Sequence, residues 1–125
     1  MSAPVPTTTV LVVEDDDAHR ALVCEVLEAS AYRVLAARNG LEAMQINKTF
    51  PDRIALVILD MALPLMSGLA LAERLRKKRP FRMLLMSGQP APLVTVAAQA
   101  PDRTAFIQKP FTAEELLGRV REVLR

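Results

Sequence analysis

Cysteine is nearly absent from this 125-residue chain. Cys24 stands alone, which excludes an internal disulfide framework and any Cys-rich zinc site. Histidine is as scarce: His19 is the only one, so a multi-His metal centre cannot be built and a Ser/His/Asp triad has little to draw on. Trp is missing and aromatics make up 4%, so the core must be aliphatic, from Leu, Val, Ala, Ile and Met. No apolar run approaches the roughly 20 residues of a membrane span. The first nine residues carry neither the basic nor the apolar segment of a signal peptide. The expectation is a cytoplasmic protein with no membrane association.

What is present suffices for one domain. Apolar residues are 51% and charged residues 24%, which excludes a disordered chain. A chain of this length buries about two-thirds of its unfolded surface without staples. Net charge is +2, unevenly spread: residues 1–70 hold 5 basic and 9 acidic side chains, and residues 71–125 hold 11 basic and 5 acidic. The acidic half contains the block Glu14-Asp15-Asp16-Asp17. The basic half contains Arg74, Arg76, Lys77, Lys78, Arg79 and Arg82. Nucleic-acid contact is one reading of that basic run. Cations complementing a helix C-terminus on a solvated face are the stronger one, so no direct nucleic-acid binding is expected.

Along the chain, apolar strand-like runs alternate with amphipathic helical stretches. Residues 1–8, with Pro4 and Pro6, read as a flexible lead-in, and residues 9–125 as the domain. Strands are expected at 9–13 (TVLVV), 33–37, 54–59 (IALVIL), 81–86 and 104–108. The third is apolar at every position, as a strand buried on both faces must be. Asp16 or Asp17 can cap a first helix to about Ser30, with Ala18, Leu22, Val26 and Ala29 on one stripe. Asn39 with Glu42 opens a second, carrying Ala43, Met44 and Ile46 and stopping before Pro51. Ser67 can cap a third at 68–79, closed by Pro80. Residues 87–92 (SGQPAP) read as a loop and 93–100 as a short fourth helix. Thr112 and Glu115 form a capping box for a last helix with Leu116, Leu117, Val120, Val123 and Leu124 on its apolar face. The sum is an α/β domain, (βα)5, with a doubly wound parallel five-stranded sheet.

Ligands of such sheets sit beyond the carboxyl ends of the strands. There the sequence places Glu14 and Asp15, then Asp60, then Ser87 with Gly88, then Lys109 with Pro110. Acids at a helix start are common, and Ser-Gly or Lys-Pro alone says little. Four strand ends supplying matched chemistry say much more. Clustered carboxylates repel and raise one another's pKa unless a cation sits among them. Hard oxygen donors beside a phosphate site suit Mg²⁺. Lys109, the Ser87 hydroxyl and the amides of Ala62 and Gly88 can receive an anion, which makes Asp60 a candidate nucleophile toward a phosphoryl group.

The stretches VLVVEDDDAHR (10–20), LVILDMALPLMSG (56–68), LLMSG (84–88) and FIQKPF (106–111) closely resemble the receiver domain of two-component response regulators, over more than nine-tenths of the chain. The resemblance implies a flavodoxin-like fold with strand order 2-1-3-4-5. It implies that Asp60 accepts a phosphoryl group from a phosphohistidine on a sensor histidine kinase or histidine phosphotransfer protein. Glu14, Asp15, Asp60 and the carbonyl of Ala62 would hold Mg²⁺. Ser87 and Lys109 would each meet a phosphoryl oxygen, Lys109-Pro110 would be cis, and Phe106 would be the switch aromatic moving with Ser87. The product is a signalling switch rather than an enzyme, acting on a downstream protein target or fused domain and open to phosphorylation-dependent dimerisation.

Ser87 stands where Thr is frequent and Phe106 where Tyr is frequent, so Phe106 has no hydroxyl to bond at the output face. Pro90 and Pro92 delay the fourth helix, whose Val94, Thr95 and Val96 are mediocre helix formers. An aspartyl-phosphate phosphatase on a similar fold is the alternative, but Ala62 stands where its general acid belongs. No phosphate-binding glycine motif supports a nucleotide or flavin site. A pseudo-receiver would lack some of the five site residues, and all five are present. The Pro-rich start and QKPF ending are similar to receivers of hybrid sensor kinases, and the chain reads as a stand-alone receiver or a fragment.

Overall fold

The apolar runs take the strand positions that their alternation with helices predicts. In the computed structural model, which describes residues 8–50, 54–63, 66–78, 82–88 and 104–125, the strands are β1 (Thr9–Val13), β2 (Arg33–Ala37), β3 (Ile54–Asp60), β4 (Arg82–Ser87) and β5 (Thr104–Gln108). Between them run α1 (Asp17–Ala29), α2 (Gly40–Thr49) and α3 (Gly68–Lys78), and a C-terminal helix spans Ala113–Leu124. All neighbouring strands pair in parallel, in the order β2-β1-β3-β4-β5. The order predicted from the resemblance is the observed one. Of the expected lead-in at residues 1–8, only Thr8 is described, and its carbonyl accepts the Arg33 N–H at 2.9 Å; residues 1–7, the loop beyond Gly88 and the fourth helix at 93–100 lie outside the described residues.

The period of two along each strand sorts the core into two layers. Leu11, Val13, Val57, Leu59, Met83 and Leu85 face α2 and α3, meeting Ala43, Leu71 and Leu75. Val10, Val12, Leu56, Ile58, Leu84, Met86 and Ile107 face α1 and the C-terminal helix, meeting Val23, Leu27, Leu116 and Val120. β3 lies between β1 and β4, and its Leu56, Val57, Ile58 and Leu59 are wholly buried. Each such side chain contributes about 2 kcal/mol relative to exposure.

The caps act as the sequence requires. Asp16 Oδ1 accepts the His19 N–H at 2.8 Å, Asn39 Oδ1 the Glu42 N–H at 2.8 Å, Ser67 Oγ the Ala70 N–H at 3.1 Å, and Thr112 Oγ1 the Glu115 N–H at 3.1 Å. Only the last closes a reciprocal box; Glu42 reaches back to the Arg38 N–H rather than to Asn39.

The expected stripe of α1 is turned by one residue. Its buried members are Val23 and Leu27, while Ala18 and Ala29 are exposed and Leu22 is 53% exposed. Val23 and Leu27 offer more apolar surface than Ala18 and Ala29 and take the core. Arg20, one turn ahead of Val23, donates to the Glu14 carbonyl (2.9 Å) and to the exposed Asp17 (2.6 Å).

Two further features were not evident beforehand. Asn47 is buried in α2, and its Oδ1 has no hydrogen-bond partner. Gly68 opens α3 against the end of β3, where an added Cβ would stand 2.5 Å from the Asp60 carbonyl oxygen and 2.6 Å from the Met61 Cα.

Candidate functional site

Glu14 lies one residue past β1, Asp60 ends β3, Ser87 ends β4 and Lys109 follows β5, so the parallel register delivers all four to one rim. The ladder continues past the strands: Met61 N–H donates to Met86 O at 2.9 Å, and Lys109 N–H to Ser87 O at 2.8 Å. Glu14, Asp60 and Lys109 continue the alternation of Val12, Ile58 and Ile107, on the α1 side. Ser87 continues that of Met83 and Leu85, on the α2 and α3 side, where Phe106 is also found.

Lys109 Nζ stands between two carboxylates, 2.7 Å from Asp60 Oδ2 and 2.9 Å from Glu14 Oε1. It is the cation that the cluster of acids demands. Asp60 Oδ1 accepts the Ala62 N–H at 2.9 Å. The carboxylate oxygens of Glu14, Asp15 and Asp60 approach within 4.8 Å of one another, with Asp15 exposed and the other two buried. That donor set, all hard oxygen, fits a small divalent cation.

Burial pushes the Glu14 carboxyl above its ordinary range, and Asp60 beside it adds to the push, against Lys109 and His19. For Asp60, burial acts upward too but is outweighed by Lys109, the Ala62 amide and Glu14, so its carboxyl lies below the usual range. For Lys109, burial acts downward and is outweighed by Asp60 and Glu14, which hold the ammonium above its ordinary value. Of the two acids, burial thus shifts Glu14 upward, while Lys109 and the Ala62 amide favour the anion at Asp60.

The structure brings Glu14, Asp15, Asp60, Ala62 and Lys109 together, whereas Ser87 shares the rim from the other face of the sheet and Phe106 lies one strand over on that face. Ser87 is buried at the end of β4, opposite Gln108. Phe106 is half-buried opposite Leu85, packed on the core beneath α2 and α3. Ala62 is exposed, and its amide is engaged by Asp60. Lys109-Pro110 is cis, as the resemblance implies. Sequence reasoning missed His19 and Arg20. His19 Nδ1 is 2.5 Å from Glu14 Oε1, and its ring meets Phe111 edge-on at 5.5 Å between centroids. The signal was spacing: both residues lie in the opening turns of the helix that follows Glu14, where side chains fold back over the preceding loop.

Comparison with known proteins agrees with this geometry. The response regulator receiver domain family matches residues 10–121. The chain is 32% identical over 119 residues to the sensor kinase CckA of Brucella abortus, covering 94% of this chain and 13% of that protein. It is 34% identical over 116 residues to the transcriptional regulatory protein YrkP of Bacillus subtilis, covering 93% of this chain and 49% of that one. It therefore spans half or less of these relatives' length. The structure of the response regulator TrrA from Thermotoga maritima, in complex with Mg²⁺-BeF, superposes with a TM-score of 0.81 at 32% identity, covering 94% of this chain and 100% of that one. The fold, the rim of acids and lysine, and a family match spanning most of the sequence agree: the chain belongs to the receiver domains of two-component response regulators.

Proposed function

We propose that Asp60 is the phosphoacceptor of this receiver, taking its phosphoryl group from a phosphohistidine of a sensor histidine kinase or histidine phosphotransfer protein. The observation that carries this is the ion pair between Asp60 Oδ2 and Lys109 Nζ, 2.7 Å long and next to an acid pair. It keeps Asp60 ionised, hence nucleophilic, while leaving an ammonium beside it for the incoming phosphoryl oxygens. In the transfer, an Asp60 oxygen bonds to phosphorus as the P–N bond breaks, and the electron pair returns to the donor imidazole. Glu14, Asp15, Asp60 and the Ala62 carbonyl are the residues that would hold Mg²⁺. Bound there, the ion would neutralise charge on the phosphoryl oxygens. TrrA, the relative solved with Mg²⁺-BeF, supports that assignment.

Ser87 hydrogen-bonds a phosphoryl oxygen in this reading, and Phe106 responds. The two sit on one sheet face of neighbouring strands, offset by two residues, since Ser87 pairs with Gln108. The altered surface serves a downstream protein target or a fused domain, in the cytoplasm. Among the described residues, no helix is long and apolar enough to cross a membrane.

Incubation with acetyl phosphate and Mg²⁺ should add one phosphoryl group by intact mass, and Asp60→Asn should abolish the addition. Unchanged labelling of Asp60→Asn would overturn the assignment, and labelling that survives EDTA would overturn the metal reading.

A further inference from the structure

Every polar atom of Glu14 is held. Its N–H donates to Ala37 O at 3.0 Å, and its carbonyl accepts Arg20 Nη1 at 2.9 Å. Oε1 takes both Lys109 Nζ at 2.9 Å and His19 Nδ1 at 2.5 Å, while Oε2 has only the Asp16 N–H at 3.3 Å. Three of these donors, on Asp16, His19 and Arg20, come from the cap and opening turns of α1. A glutamate at this place needs them, because its side chain has one more rotatable bond than aspartate and ends in a fully buried carboxylate.

We infer that His19 is a positioning residue for the metal site: its imidazole holds Glu14 Oε1 and so fixes the carboxyl group that meets Asp15 and Asp60. The inference rests on the acid-pair reading above. A carboxylate oxygen only accepts, so His19 Nδ1 carries the hydrogen of this bond. The ring is braced from the other side by Phe111, edge-on at 5.5 Å and an interplanar angle of 63°. Phe111 lies two residues beyond Lys109, so one imidazole ties the acid of β1 to the segment that carries the lysine. Lys109 also bonds Asp60, and in the proposed reaction it turns to the phosphoryl group. His19 is then the side chain that keeps Glu14 oriented. Partners of metal ligands are worth roughly 10–100-fold in affinity when removed.

The test is Mg²⁺ affinity of the unphosphorylated protein, measured by calorimetry and by amide NMR titration, with folding checked by thermal unfolding in EDTA. His19→Ala should weaken Mg²⁺ binding about 10-fold. His19→Asn, whose amide Nδ2–H stands where the imidazole Nδ1–H does, should restore most of it. Glu14→Gln should abolish binding, which tests the acid-pair reading separately. Loss in Glu14→Gln with wild-type affinity in His19→Ala overturns the role of His19 alone. His19→Asn as weak as His19→Ala also overturns it, since a packing role would need no donor. Full binding by Glu14→Gln overturns the acid pair and the inference together.

Discussion

The backbone of Gly68 presses on the backbone of Asp60: a Cβ at Gly68 would stand 2.5 Å from the Asp60 carbonyl oxygen. The Gly68 N–H donates to Met61 O at 3.0 Å, so the start of α3 is bonded to the turn that carries the acceptor. No flexible side-chain tip is available to step aside, because the nearest atoms are main chain.

Gly68→Ala should therefore cost about 1–3 kcal/mol of stability, the usual range for overpacking a site that cannot relax. The displaced Asp60 should also take up phosphoryl groups from acetyl phosphate more slowly. Urea unfolding and intact-mass time courses check both. Wild-type values in each would mean that the contact relaxes freely.

Glu14→Gln should raise the metal-free unfolding midpoint at neutral pH. Glu14 titrates above its ordinary 4.5 when folded, so the folded state takes up that proton more readily than the unfolded chain. Its contribution is fully present below 4.5 and is lost as pH rises through the folded value. The advantage of Glu14→Gln should shrink as pH falls toward 4.5. Asp60 acts oppositely and lower, with stability lost as pH falls through a folded value below 3.8. Midpoints measured in EDTA across this range check the sign.

Lys109→Met should destabilise the metal-free protein by about 2–3 kcal/mol. That is below the full cost of orphaning a buried charge, because the Lys109 side chain is 27% exposed. Mg²⁺ should then stabilise the variant more than the wild type, since the ammonium no longer competes for Glu14 Oε1 and Asp60 Oδ2. In the wild type, the same pair contributes stability that is lost as pH rises through a folded lysine value above 10.5. Thermal melts with and without Mg²⁺ decide this.

Asn47→Leu should raise stability by about 1 kcal/mol, by removing a buried oxygen that has no donor and filling the site with apolar volume. A fall in the unfolding midpoint would show that the amide has a partner role in solution.

The strands were legible because parallel central strands need unbroken apolar runs, and few other elements tolerate one such as IALVIL. The rim followed from the fold, since residues just past strands converge whatever their separation in sequence. What escaped was anything decided by a side chain turning against its class. Arg20 spends its guanidinium on the Glu14 carbonyl and on the exposed Asp17, a contact that no apolar pattern announces. His19 was judged by its scarcity, whereas its neighbour Glu14 gives it a role. Asn47 sits at a core position that periodicity assigns to an apolar residue, and no pattern of apolar residues announces an exception.

The ion pair of Lys109 with Glu14 closes a separation of 95 residues, and that with Asp60 one of 49. During synthesis, Glu14, Asp15 and Asp60 all leave the ribosome before the lysine that neutralises them. A nascent chain that has assembled β1 and β3 thus carries an acidic rim with no lysine of its own until β5 docks. At that stage a divalent ion from solution is the natural counter-charge, and closing the longest-range pairs is the slowest kind of step in folding. The order in which the charges are made favours metal first and lysine second, so the lysine that arrives with β5 meets carboxylates a cation can already occupy.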